Sequence, residues 1–213
     1  MANGGSGGGG GCGIGKCCQG LCGFLFTIGF VVLIYWAIFQ PHHIRAAVES
    51  ATLSNLTVVS NNASAAVSYD LAVRLSLYNP SVRVNIYYDA ITAELRFRDA
   101  VIGPAANDTS PSVFFQRSRT GDEVRLEFDY GRRPGVGVAG DVAGELEKEM
   151  KSGGRTVSLE LHVDVRVRYV LKMFKLRQKP RIRCPLSIPV KAEGRRHGVG
   201  GFLVSGDRCR VKY

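Results

Sequence analysis

No acidic residue precedes position 49 in this 213-residue chain, and no charge of either sign falls between Leu21 and Phe39. Tryptophan occurs once, histidine four times and cysteine six times. So thin a supply of reactive side chains leaves no nucleophile with a base and no metal-ligand set. His162 sits on the polar side of an alternating segment, His197 in a Gly- and Arg-rich loop, and His42 and His43 just past the uncharged run. The glycines near the start precede no strand–helix unit, which excludes a phosphate-cradling loop and marks a flexible tail. A nucleic-acid reader motif is missing, as is an internal repeat. Ala2 after Met1 excludes N-myristoylation, and the final Cys209-Arg210-Val211-Lys212-Tyr213 offers neither a prenylation box nor an apolar GPI tail. The chain reads as a non-enzyme with no catalytic residues, no cofactor and no resident metal.

What is present begins with the uncharged run itself, LCGFLFTIGFVVLIYWAIF. About 20 apolar residues rising 1.5 Å each match the hydrocarbon thickness of a bilayer. A core helix would show a polar face at helical spacing, and a signal peptide would show a basic start and a small-residue cleavage site; neither pattern is visible. Residues 21–39 are therefore expected to be a transmembrane helix, with Tyr35, Trp36 and Phe39 as an interfacial belt. Residues 1–20 form a Gly- and Cys-rich cytosolic tail, residues 40–66 a juxtamembrane segment with a first strand, and residues 67–213 a soluble domain.

Flanking charge does not orient such a helix, since Lys16 lies before it and Arg45 after it. Three N-glycosylation sequons at Asn55, Asn62 and Asn107 all follow it, while Asn79-Pro80-Ser81 is excluded by its proline. They favour a lumenal or extracellular domain, most simply at the plasma membrane. The cysteines divide the same way. Cys12, Cys17, Cys18 and Cys22 crowd the cytosolic mouth of the span, where S-acylation is expected; a zinc site would need a folded frame, and unmodified thiols are the bland alternative. Cys184 and Cys209 would meet an oxidising compartment, where a disulfide is plausible and two unpaired buried cysteines the alternative.

Beyond the span lie 27 basic residues against 18 acidic, a net +9. Anionic headgroups or acidic wall polymers suit such a surface better than nucleic acid does; a merely solvated surface is the alternative. The domain alternates with period two. Residues 69–77, 82–88, 93–97, 124–130 and 157–169 each present apolar side chains on one face, as half-buried strands do. Residues 82–88 are expected to return against 69–77, and 157–169 to pair with 182–190, whose Pro185 and Pro189 suggest an edge or irregular strand. Val142, Leu146 and Met150 recur by four within residues 138–150, predicting a short amphipathic helix. The sum is a mainly β fold, an antiparallel β-sandwich of immunoglobulin or fibronectin-III type with about seven strands and one short helix; a closed barrel is the alternative.

Three motifs then point to a family. Asn79-Pro80-Ser81-Val82-Arg83 runs into Ile86-Tyr87-Tyr88-Asp89, Phe114-Phe115-Gln116 stands where the family has Phe-Tyr-Gln, and Cys209-Arg210-Val211-Lys212 closes the chain. With the Cys-rich tail and single span, this resembles the plant NHL proteins, similar to non-race-specific disease resistance and harpin-induced proteins, whose domain is assigned to late embryogenesis abundant subgroup 2. Ser81 departs from the family's asparagine, and phenylalanine replaces tyrosine at 115. The resemblance implies a surface-exposed β-sandwich, a role in defence or stress, and an unidentified protein, lipid or wall partner. Asn79, Pro80 and Arg83 are expected to hold a turn, with Arg83 bonding the next strand.

Overall fold

The computed structural model describes residues 14–39, 43–61, 64–105, 114–131, 135–151, 156–171, 174–192, 198–206 and 208–213. The chain divides into two compact units, Met1–Gln40 and Pro41–Tyr213.

Among its described residues the first unit holds one helix, α1, Ile14–Phe39. It includes all of residues 21–39 and starts earlier, inside the segment expected to be tail. Past Gly13 the glycine run ends, and each residue added to a nucleated helix gains a backbone bond. Thr27 Oγ1 donates to Gly23 O at 2.8 Å, so the threonine hydroxyl in the apolar stretch is satisfied within the helix. The described side chains of α1, residues 22–37, are all exposed. They cover less than the roughly 20 residues a crossing takes, and among the described residues no helix is long and apolar enough to cross a membrane.

The second unit is mainly antiparallel β-sheet in two layers, with twelve strands among the described residues. One layer is built on β1 (Arg45–Asn61), β2 (Ser64–Tyr78), β6 (Gly121–Asp129) and β11 (Val199–Leu203), with β7 (Val136–Val138) beside β2. The other is built on β3 (Asn85–Phe97), β4 (Ala100–Pro104), β8 (Thr156–Leu171) and β10 (Arg181–Ala192); β5 (Phe114–Gln116), β9 (Phe174–Gln178) and β12 (Arg210–Lys212) attach to β3, β8 and β10. Alternation sets the faces. On β8, Val157, Leu159, Leu161, Val163, Val165, Val167 and Tyr169 are buried, and the polar residues between them face outward. A single apolar cluster fills the space between the layers, with Tyr69, Tyr88, Tyr169, Phe97 and Phe128 fully buried. Helix α2 (Gly140–Lys151) buries Ala143 and Leu146 and packs Val142 and Met150 against that cluster.

Strand β10 belongs to both layers. Its first part pairs with β8, from Arg181 opposite Asp164 to Pro189 opposite Thr156, and its last three residues pair with β11. On the opposite side the layers meet through side chains. Tyr69 Oη donates to Ile102 O at 3.2 Å and Tyr130 Oη to Pro104 O at 2.6 Å, with the two rings 5.3 Å apart. Burial, then the neighbouring Tyr130, pushes the Tyr69 hydroxyl well above the ordinary tyrosine range, keeping it a donor. Gly103 permits this approach, since a Cβ there would lie 2.5 Å from the Tyr69 hydroxyl.

One expectation is corrected and another holds. Residues 82–88 do not return on 69–77: β2 pairs with β1 and β6, whereas β3 lies in the other layer against β8. A bulge between Tyr88 and Ala90 explains the misreading, because it moves the buried set from Val84, Ile86 and Tyr88 to Ile91, Ala93, Leu95 and Phe97 within one run. Residues 182–190 form the irregular strand that the prolines suggest, open on one side along part of its length. β12 covers β10 only as far as Arg183 and β11 only from Val190, so Pro185 and Pro189 fall in the gap, where β8 is the one neighbour and no second ladder needs their N–H groups.

Candidate functional site

The motif residues gather at the end of the sandwich where β2 finishes and β3 begins. Asn79 is completely buried. Its Nδ2 donates to Val84 O at 2.9 Å and Arg117 O at 3.2 Å, while its Oδ1 accepts from Ser81 N at 3.1 Å. Its own backbone N–H reaches Thr120 O, and Arg119 N donates to Ser81 O. Asn79 thus ties the β2–β3 connection to the β5–β6 connection, and Pro80 follows it inside the turn. Arg83 does not hold the next strand as expected. It is exposed, and the carbonyl of Val84 is bonded by Asn79 instead.

The Tyr-Tyr and Phe-Phe-Gln motifs face each other across β3 and β5. Tyr88 stacks on Phe114 at 4.3 Å and Tyr87 meets Phe115 at 4.6 Å. Gln116, fully buried, accepts from Tyr88 Oη at 2.9 Å and donates from Nε2 to Leu77 O at 2.7 Å, joining the two layers. Removing it would strand a buried hydroxyl and a buried carbonyl, each costing about 1–3 kcal/mol. Gln116→Leu is expected to lower stability by roughly 2–4 kcal/mol; urea unfolding followed by circular dichroism checks this, and an unchanged midpoint would contradict the bridging role.

The closing motif forms a clasp. Cys184 and Cys209 make a disulfide, with Cα atoms 4.3 Å apart. Cys209 N donates to Ala46 O at 3.0 Å, and the Tyr213 hydroxyl accepts from Ile44 N at 2.8 Å and lies 3.0 Å from the Tyr169 hydroxyl. The last residues are thereby fastened beside the start of β1.

Asn55 lies in β1 at a register irregularity, with φ at 54°, a left-handed backbone that asparagine tolerates better than most residues. Its Nδ2, the atom a glycan would occupy, donates to Asp70 Oδ2 at 2.8 Å. Asn62, Asn107 and Cys12 lie outside the described residues, as do the side chains of Cys17 and Cys18; Cys22 is a free, exposed thiol.

A mixed-charge groove that the linear pattern does not single out crosses the outer face of β3, β8 and β10. Register sets Glu94 and Arg183 on either side of His162, and Thr92 and Arg181 on either side of Asp164. Together with Arg96 these residues line a cavity of about 280 Å³. Arg96 Nη2 pairs with Glu94 at 3.3 Å and Arg181 Nε stands 3.7 Å from Asp164. His162 Nε2 is within ion-pair reach of Glu160 at 3.2 Å but is not hydrogen-bonded, and neither is Arg96 Nε, although both atoms are buried. Arg96 Nε, a buried donor without an acceptor, suits the groove to binding oxygen-rich groups. Among the described residues no cluster of His, Cys, Asp or Glu could hold a metal ion. The signal in sequence was only polar residues at alternate positions; what assembles them is cross-strand register.

Compared with known proteins, the chain is 28% identical over 186 residues to NDR1/HIN1-like protein 3 of Arabidopsis thaliana, covering 87% of this chain and 75% of that one. It is 29% identical over 180 residues to NDR1/HIN1-like protein 2 of the same plant, covering 83% and 69%, and 27% identical to NDR1/HIN1-like protein 1, covering 89% and 83%. Over most of its length the chain is similar to NDR1/HIN1-like proteins. No family model matches the chain. The motifs at Asn79–Arg83, Phe114–Gln116 and Cys209–Lys212 serve the fold, each bonding one part of the sandwich to another.

Proposed function

We propose that this NDR1/HIN1-like chain is a single-pass, non-enzymatic membrane protein of plant defence or stress response. Residues 21–39 form the span, the tail is cytosolic and S-acylated at Cys12, Cys17, Cys18 and Cys22, and an extracytosolic sandwich of the late embryogenesis abundant subgroup 2 kind binds a protein, lipid or wall component. The observation that carries this reading is α1: an uncharged apolar stretch, exposed along its described length, whose threonine hydroxyl is satisfied internally. Such a surface is stable in lipid and costly in water. The mixed-charge groove on β3, β8 and β10 is the place for the partner.

A second reading, a tether between the bilayer and an anionic surface, draws on the excess of 27 basic over 18 acidic residues after the helix. Truncating the tail would spare a tether and silence a signalling protein. The filled interior, with Tyr69, Phe97, Phe128 and Tyr169 buried among the core residues, favours either reading over a lipid-carrying cavity.

Topology is tested by glycosidase treatment of the chain expressed in plant cells. A mass shift is expected that disappears on combining Asn62→Gln with Asn107→Gln, whereas Asn55→Gln alone leaves most of it, because the folded domain engages the Asn55 amide. A chain with no glycosidase-sensitive mass at any of the three sites would count against an extracytosolic domain.

A further inference from the structure

The end of the sandwich that holds Asn79 also carries six exposed cations: Arg45, Arg83, Arg117, Arg119, Lys175 and Arg177. Strand register gathers them. Arg45 opens β1 opposite Tyr78, the last residue of β2. Arg83 lies in the β2–β3 connection, and the bonds of Asn79 and Ser81 hold the 117–120 turn beside it. Lys175 stands opposite Val170, itself opposite Asn85 at the start of β3, and Arg177 stands opposite Arg168. Among the described residues none of the six makes an ion pair. Of the acids at this end, Asp89 is taken by Arg168 at 2.6 Å, and Asp122 and Glu123 lie on β6 opposite Leu77 and Ser76. The same end exposes Val82, Phe115 and Leu176, at 55%, 42% and 46%.

The opposite end differs. There α2 presents Asp141, Glu145, Glu147 and Glu149, with Arg98 and Lys151 drawn into pairs with Glu145 and Glu147. Acids and cations, Lys148 among them, are thus mixed at that end, whereas cations predominate at the Asn79 end. A solubilising surface intersperses both signs and keeps apolar tips down, whereas unpaired cations set among apolar tips are what an anionic interface selects.

We propose that this end of the sandwich docks on an anionic phospholipid surface, the cations meeting phosphate and carboxylate headgroups while Val82, Phe115 and Leu176 enter the interface. The proposal rests on the reading of α1 as a membrane anchor. Since β1 is the first strand after α1 in the chain and begins at this end, anchoring would bring these residues to the bilayer at high effective concentration.

Trp36 is the chain's one tryptophan, which lets a single experiment separate anchor from docking. The full chain is reconstituted in vesicles of phosphatidylcholine, with or without phosphatidylserine, and in both cases with brominated acyl chains. Trp36 fluorescence is expected to be quenched in both compositions. A reporter introduced by Leu176→Trp in a Trp36→Phe background is expected to be quenched only when phosphatidylserine is present, and to recover in high salt. Each cation removed should weaken the docked state about fivefold, so Arg83→Gln with Arg117→Gln should shift the docked-to-free ratio roughly 25-fold. Trp36 quenched while the reporter is unquenched in both compositions, or equally quenched in both, would overturn the docking alone. Trp36 unquenched would overturn the anchor and the docking with it.

Discussion

Asn79→Ala is expected to destabilise the sandwich by about 3–5 kcal/mol, the largest effect of any single polar substitution in the described domain. The side chain bonds Val84 O, Arg117 O and Ser81 N from a position with no access to solvent, so truncation leaves two carbonyls and one amide without the partner that satisfies them. Each buried orphan costs about 1–3 kcal/mol, and partial rearrangement of the turn recovers some of it. Asn79→Asp separates the contributions, because a carboxylate still accepts from Ser81 N but donates nothing to the two carbonyls; it should recover only the smaller part of the loss. Arg83→Ala, at an exposed position four residues on, is expected to stay within about 0.5 kcal/mol of the parent. Chemical unfolding monitored by circular dichroism measures all three. A stable Asn79→Ala protein beside a destabilised Arg83→Ala protein would reverse the roles assigned to the motif.

Loss of the disulfide is the second large effect. Cys184 and Cys209 are 25 residues apart, and in the chain-entropy treatment a crosslink of that span restrains the unfolded chain by about 3 kcal/mol. Replacing both by alanine should lower stability by that amount, which for a domain this size corresponds to roughly 6–12 °C in Tm. Native packing near Cys209 remains supported by its backbone bond to Ala46 and by pairing of β12 with β10, so the variant is expected to fold. Reducing agent should depress the parent's midpoint to that of the double variant and leave the variant unmoved. A parent insensitive to reduction would show that the crosslink contributes nothing.

Strand identity was largely legible from the chain, for a physical reason: a strand with one wet face must alternate, and Val157 to Tyr169 alternates without a break. The amphipathic helix around Leu146 was legible likewise. Pairing was harder to read. The bulge between Tyr88 and Ala90 changes the parity of the buried positions, which in sequence looks like the end of one strand and the start of another. Pro185 and Pro189 carry the mark of an edge, and only the gap between β12 and β11 reconciles them with a strand between neighbours. The motif residues announced themselves, but their bonds did not: nothing in the order Asn79, Pro80, Ser81 points to carbonyls at Arg117 or Val84. The groove and the basic end were the least legible, because Glu94, His162 and Arg183, or Arg45, Arg83 and Lys175, become neighbours only through register.

The sharing of β10 between the two layers has a mechanical meaning. The sandwich is bound like a book, with a spine of backbone hydrogen bonds on one side and, on the other, covers held by the Tyr69, Tyr130 and Gln116 side chains. Side-chain latches give way at lower free energy than a continuous ladder. Breathing of the domain, and any access of solvent to its interior, therefore belongs to the tyrosine edge, and the covers turn about β10.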